Sequence, residues 1–194
     1  MAAQDQAISK SRLCKVKEET IDVLVSSCSK IAQTDYKERH DKVASMLHWN
    51  LCRKYNLPTA DKWWEHKVDK VLQKENVKIL WDFKIQTDKH LAHNIPDNTV
   101  VEKKRVWIID VAIPGGSRIE EKELEKISKY QDLKIEIERL WEKQGTVAVV
   151  IGSLGAIPRD LRKHLRTTGL ESISPSQLQK TVLLGTAYIL RKYF

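Results

Sequence analysis

Long apolar runs are missing from this chain. No stretch approaches the ~18–20 consecutive apolar residues that a membrane span requires, so no membrane partner is expected. The N-terminal residues MAAQDQAISK lack the charged-then-apolar pattern of a secretory leader. Cysteine is scarce as well. Cys14, Cys28 and Cys52 stand at irregular spacing and do not make a disulfide framework, which points to a soluble protein of a reducing, intracellular compartment. Only 7 Gly and 5 Pro occur among 194 residues, leaving little room for flexible linkers. Neither an internal repeat nor a low-complexity tract is visible.

What is present reads as globular. Hydrophobic residues make up 41% and charged residues 31%, enough to build a core in one ordinary domain, with or without a small appendage. The net charge is +8 and the pI about 9.3. A surplus of that sign favours polyanionic partners such as nucleic acid, through phosphate neutralisation and counterion release. A soluble protein with many surface lysines would show the same balance.

The hydrophobic period divides the chain. Between Ser29 and about Asn56, Ile31, Tyr36, Val43, Met46, Leu47, Leu51 and Tyr55 recur near helical spacing, and Pro58 ends the pattern. The stretch DKWWEHKVDKVLQ continues as amphipathic, with Trp63, Trp64, Val68 and Leu72 on roughly one side. Paired tryptophans of this kind could stack on unpaired bases, but a place in the core is the expectation. Residues 77–85 and 105–113 then read as strands, and 118–143 as the clearest helix. Residues 146–154 form a continuous apolar run suited to a strand buried on both faces. Helices at about 158–168 and 175–192 close the chain, the second opened by Ser174-Pro175. This order predicts an α/β fold on a mixed sheet flanked by helices. In the 105–113 strand, Trp107, Ile109, Val111 and Ile113 would line one face, and Ile108, Asp110 and Ala112 the other.

Asp110 interrupts a nearly pure apolar strand, where a lone carboxylate is costly to bury unless paired, protonated or metal-bound. Upstream lies Pro96-Asp97, with 12 residues between Asp97 and Asp110. Two strands turning through Glu102-Lys103-Lys104 would bring the two carboxylates together at the end of the sheet. A divalent cation relieves their repulsion and supplies an electrophile for phosphodiester cleavage. By chance such a pair turns up in roughly one chain in ten, so it does not decide alone. A strand-end aspartate capping a turn is the alternative.

The following helix adds to the pattern. With Tyr130, Leu133, Ile137 and Trp141 on its core face, Lys126 falls about 40° from Tyr130, inside the apolar arc. Lys122 and Lys129 sit at its edge, about 80° and 100° away. A lysine aimed at the sheet beside two carboxylates suits water activation or phosphate clamping. A snorkelling lysine is the competing reading.

Taken together, IPD (95–97), twelve residues, Asp110 and then KISKY (126–130) resemble the restriction-like endonuclease of non-LTR retrotransposons. That family's pattern is a basic residue, Pro-Asp, then Asp, then Lys-x-x-Lys-Tyr. The likeness extends through AQTDYKERHDKVASMLHWNLCRKYNL, VKILWDFKIQTD, WIIDVAIPG, EKISKYQDL and LQKTVLLGTAYILRK, and so covers essentially the whole chain. The resemblance implies a PD-(D/E)XK fold and an enzyme that nicks chromosomal DNA, leaving a 3′-hydroxyl to prime reverse transcription. It implies Mg²⁺ or Mn²⁺ on Asp97 and Asp110, with Lys126 orienting or activating the attacking water. Lys129 and Tyr130 would support the site, and His93, Asn94 and Lys122 would contact nucleic acid. DNA is the implied partner, with RNA as a second class. The nucleus is the implied location, with the cytoplasm as alternative. The implied divisions are a degenerate zinc-knuckle-like segment at 1–28, a helical region at 29–75 and the endonuclease domain at 76–194.

The pattern also breaks. The family's knuckle ligands fall here on Ser11, Cys14, Val23 and Cys28, and two cysteines alone do not hold a tetrahedral zinc, so zinc is not expected. Cys52 lies within the predicted helix and reads as a small buried residue. Ile95 replaces the basic residue before Pro-Asp, and Gly116 replaces the acidic residue usual after Pro-Gly. With no polymerase region and a shortened stretch between Ser9 and Lys10, the chain looks like a truncated copy of such an element. Two other readings stay open: a catalytically weak relic that binds nucleic acid through its basic surface, and a helical interaction protein in which Asp110 is structural. The oligomeric state is left open.

Overall fold

The computed structural model describes residues 10–115, 118–142 and 147–193, with backbone alone for 147–150. Five strands form one mixed sheet in the order β1-β2-β3-β4-β5. They are β1 (Val71–Lys74), β2 (Val77–Trp81), β3 (Asn98–Val101), β4 (Val106–Ala112) and β5 (Val147–Val150). The first four make an antiparallel meander, and β5 pairs with β4 in parallel. That parallel pairing requires a crossover, which α2 (Ile119–Lys129) and α3 (Gln131–Trp141) supply. The remaining helices are α1 (Lys37–Lys54), α4 (Leu161–Thr167) and α5 (Pro175–Tyr193).

Strand alternation sorts the core into two layers. Ile79, Val100, Trp107, Ile109 and Val111 face α1, α4 and α5, where Val43, Leu47, Leu51, Leu161, Leu165 and Val182 meet them. Leu80, Val106 and Ile108 face the crossover and pack on Tyr130, Leu133 and Ile137. The two faces of β4 are those expected from its alternation.

Local signals set the helix ends. Asn56 takes a left-handed φ of 51°, Leu57 N–H donates to Cys52 O (2.9 Å) and Asn56 N–H to Arg53 O (3.2 Å). This double closure stops α1 just before Pro58. At the start of α5 the Ser174 hydroxyl accepts from Ser176 N–H (3.2 Å), while Gln177 Oε1 accepts from Ser174 N–H (3.2 Å), a reciprocal cap. Where α5 crosses α1, a Cβ on Gly185 would stand 2.6 Å from Arg39 Cγ, so only glycine permits that approach. Arg39 then reaches Thr186 Oγ1 (2.7 Å) and Val25 O (2.8 Å), tying the N-terminal segment to the last helix.

Several sequence expectations need correction. Strand β1 lies inside the stretch read as helical up to residue 75, because Leu72 is drawn onto the sheet opposite Ile79. The strand expected over 77–85 ends at Trp81, where Asp82 turns left-handed with φ 42°. The helix expected over 118–143 is two helices, broken at Tyr130. Trp63 packs against the core as expected, but Trp64 is 64% exposed. In the segment ahead of Ser29, Cys14, Leu24 and Cys28 are buried with Ile31 and Ile189. The Ser11 hydroxyl lies 3.5 Å from Cys14 N. Among the described residues, no helix is long and apolar enough to cross a membrane.

Candidate active site

Asp110 sits near the C-terminal end of β4 and, by alternation, points at the crossover helices. Only 3% of the residue is exposed, so its carboxylate must find its partners inside the protein. The Tyr130 hydroxyl donates to Asp110 Oδ1 (2.8 Å) and also lies 3.1 Å from the carbonyl oxygen of Ile95. Burial, reinforced by the charges of Asp110 and Asp97, pushes the Tyr130 phenol well above its ordinary value, which keeps it a hydrogen-bond donor. The Lys126 ammonium forms an ion pair with Asp110 Oδ2. Lys129, half-buried one turn on, lies over the Tyr130 ring (4.7 Å), and burial pulls its ammonium below the usual lysine range.

Asp97 immediately precedes β3. The pairing of Asn98 with Ile109, continued by one residue, sets Asp97 opposite Asp110. Asp97 Oδ2 accepts from the Val111 N–H (2.6 Å), the amide next to Asp110. The same oxygen lies 3.1 Å from His40 Nε2, while His40 Nδ1 lies 3.1 Å from Asp41 Oδ1. Burial works against a charged His40, but its bonds to Asp41 and Asp97 outweigh that and hold its pKa up at about 10. The His40 ring is held between Asp41, Asp97 and the Val111 carbonyl, which lies 3.2 Å from Nε2. Asp97 and His40 border an open groove of about 410 Å³, also lined by Tyr36, Trp81 and Asp82.

The oxygens here suit a hard divalent cation. Asp110 Oδ2 is buried with the Lys126 ammonium as its partner, and Asp97 Oδ1 has no hydrogen-bonding protein partner among the described residues. Two carboxylates with water completing the shell is the donor set Mg²⁺ or Mn²⁺ takes.

Four of the residues singled out from sequence touch one another, Asp110, Lys126, Lys129 and Tyr130, and the fifth, Asp97, stands across the β3–β4 pair from Asp110 with its carboxylate bonded to Val111 N–H and beside His40. The other three lie apart. Lys122 pairs with Glu125 on the outer side of α2. His93 is exposed in the loop before Pro96. Asn94 uses its amide to close that loop, donating to Ile85 O (3.2 Å) while its own carbonyl accepts from Ile85 N–H (2.8 Å). Ile95, where a basic residue belongs in the resembling pattern, is 48% exposed beside the site. Gly116 lies outside the described residues. His40 was missed, although it extends the α1 stripe of Val43, Ala44, Leu47 and Leu51 by one turn. A histidine ending an apolar stripe and followed by an aspartate was the available signal.

No family model matches the chain, and no curated protein matches it in sequence.

Proposed function

We propose that this chain is a metal-dependent DNA endonuclease of the PD-(D/E)XK type, descended from a non-LTR retrotransposon and acting as a nicking enzyme on chromosomal DNA in the nucleus. The observation that carries the reading is the meeting of Lys126 and Tyr130 on the Asp110 carboxylate, with Asp97 set opposite it. An antiparallel meander followed by a helical crossover to a parallel strand supports the same fold assignment. The net charge of +8 suits a phosphate-rich substrate.

Mg²⁺ or Mn²⁺ held by Asp97 and Asp110 would neutralise charge and polarise a phosphodiester. Around it each side chain has a distinct part. Tyr130 fixes the Asp110 carboxylate by a hydrogen bond and cannot itself deprotonate. Val111 N–H and His40 fix Asp97. Lys126 is a movable cation that can exchange its contact with Oδ2 for a water or a phosphate oxygen, and Lys129 adds positive charge beside it. Asn94 shapes the loop that leads to Asp97.

One observation favours a second reading. The exposed Ile95 leaves the rim of the site without its basic residue, as in a relic that still binds nucleic acid but cleaves weakly. Supercoiled plasmid incubated with purified protein and Mg²⁺ or Mn²⁺ separates the two. Nicking by the parent, lost in Asp110→Ala, in Lys126→Ala and in chelator, is the expected outcome. An inert parent that retards DNA with a steep salt dependence would replace the nuclease with the relic.

A further inference from the structure

A second polar cluster lies farther along α1, on the opposite side of the sheet from Asp110. His48 and Cys52 are four residues apart on α1 and therefore share one face of the helix. Both are fully buried. His66, just after the short turn Trp63–Glu65, folds back over them. His48 Nδ1 lies 2.9 Å from His66 Nε2 and 3.5 Å from Cys52 Sγ. One nitrogen or sulfur from each residue lies within 4.8 Å of the others.

We propose that His48, Cys52 and His66 bind a zinc ion. In a tetrahedral zinc site, bond lengths of about 2.3 Å to sulfur and 2.0–2.1 Å to nitrogen place S and N about 3.6 Å apart and two N about 3.3 Å apart. The cluster already stands near those separations. One thiol and two imidazoles are ligands that zinc prefers and magnesium does not, so this site is chemically separate from the Asp97–Asp110 pair. Water completes the tetrahedron. Binding takes both imidazoles neutral and displaces the Cys52 thiol proton to solvent.

The position gives the ion its task. Between α1 and β1 the chain runs through residues 55–70 with one short turn as its only regular structure among them. Zinc on His66 would fasten that connection to α1, fixing Trp63 against the core and the start of β1 at the sheet edge. The reading of Cys52 as a mere space-filling residue gives way to that of a ligand.

The test uses the full chain under reducing conditions and reads metal, not cleavage. The chain is stripped with chelator, then titrated with Zn²⁺ and, separately, with Co²⁺. About one zinc per chain is expected, with a thiolate-to-cobalt charge-transfer band and the visible bands of tetrahedral cobalt. Zinc at a hundredfold over Kd should raise Tm by about 5–10 °C. Equal Mg²⁺ should not. Cys52→Ser should lose the charge-transfer band. His66→Asn, in the surface connection, should weaken zinc binding at least tenfold while the protein stays folded. Cys14→Ser/Cys28→Ser should keep both the metal and the band. Absence of bound zinc in the parent, or loss of the band on changing Cys14 and Cys28 but not Cys52, would overturn the assignment.

Discussion

The two faces of β4 solve opposite problems with one strand. Trp107, Ile109 and Val111 pack in one apolar cluster with α1, α4 and α5, and their worth is chiefly the area they remove from water. One residue out of step, Asp110 faces the crossover helices and is held by a lysine and a tyrosine. The first face gains from each side chain nearly independently. The second is conditional, because a buried charge is tolerable only while its partner remains. The same strand therefore carries one face selected for packing and one whose polar group costs stability and so calls for a chemical reason.

This contrast can be broken in graded ways. Ile109→Ala opens a cavity on the packing face and should cost about 3–4 kcal/mol, seen as a lower urea midpoint at unchanged slope. On the other face, Lys126→Ala alone should cost about 3 kcal/mol by leaving Asp110 uncompensated. The double change Asp110→Leu/Lys126→Met should return stability to within about 1 kcal/mol of the parent while leaving the site without its carboxylate. If the single and double variants were equally destabilised, the second face would be ordinary packing and the contrast would fail. Nicking by the lysine variant has to be read at a temperature where it is folded.

The smallest effect concerns a buried carboxylate far from both faces. Asp35 is met by Lys192 (2.9 Å) and Tyr193 (2.8 Å) at the end of α5. Burial opposes its charge, but these bonds outweigh that and hold its carboxyl below the ordinary range. The sign follows from the lowered folded value. Its contribution is complete above the unfolded aspartate value, about 3.9, and is lost as pH falls through the lower folded value. Asp35→Asn should therefore flatten the acid limb of a stability–pH curve below about pH 4 and leave the neutral region parallel to the parent. A parallel acid limb would assign that limb to other carboxylates.

Much of this arrangement was legible in the chain itself. The alternation through Trp107–Ala112 sorted the faces of β4, and the spacing of Asp97 and Asp110 around a turn at 102–105 placed both at one end of a hairpin. Helical periodicity put Lys126 beside Tyr130 and inward. What escaped was set by contacts distant in sequence. The helix breaks at Tyr130, whose hydroxyl reaches across to Asp110 and Ile95, and no local propensity announces that pull. Strand β2 stops at Trp81 because Asp82 turns back, its N–H bonded to Asp97 O and its carboxylate paired with Lys70. Asp97 beside His40 and His66 beside His48 come from segments outside α1, so spacing along that helix reveals an inward face but not these partners.

The bond from Val111 N–H to Asp97 Oδ2 has a mechanical consequence. It ties the Asp97 carboxylate to the backbone that bears Asp110, so the seat of one acid is set by the strand of the other. A tie made to a backbone amide does not depend on which side chains surround it. Mutations scattered through the helices can lower the melting point, yet this link between the start of β3 and the end of β4 stays available to the chain.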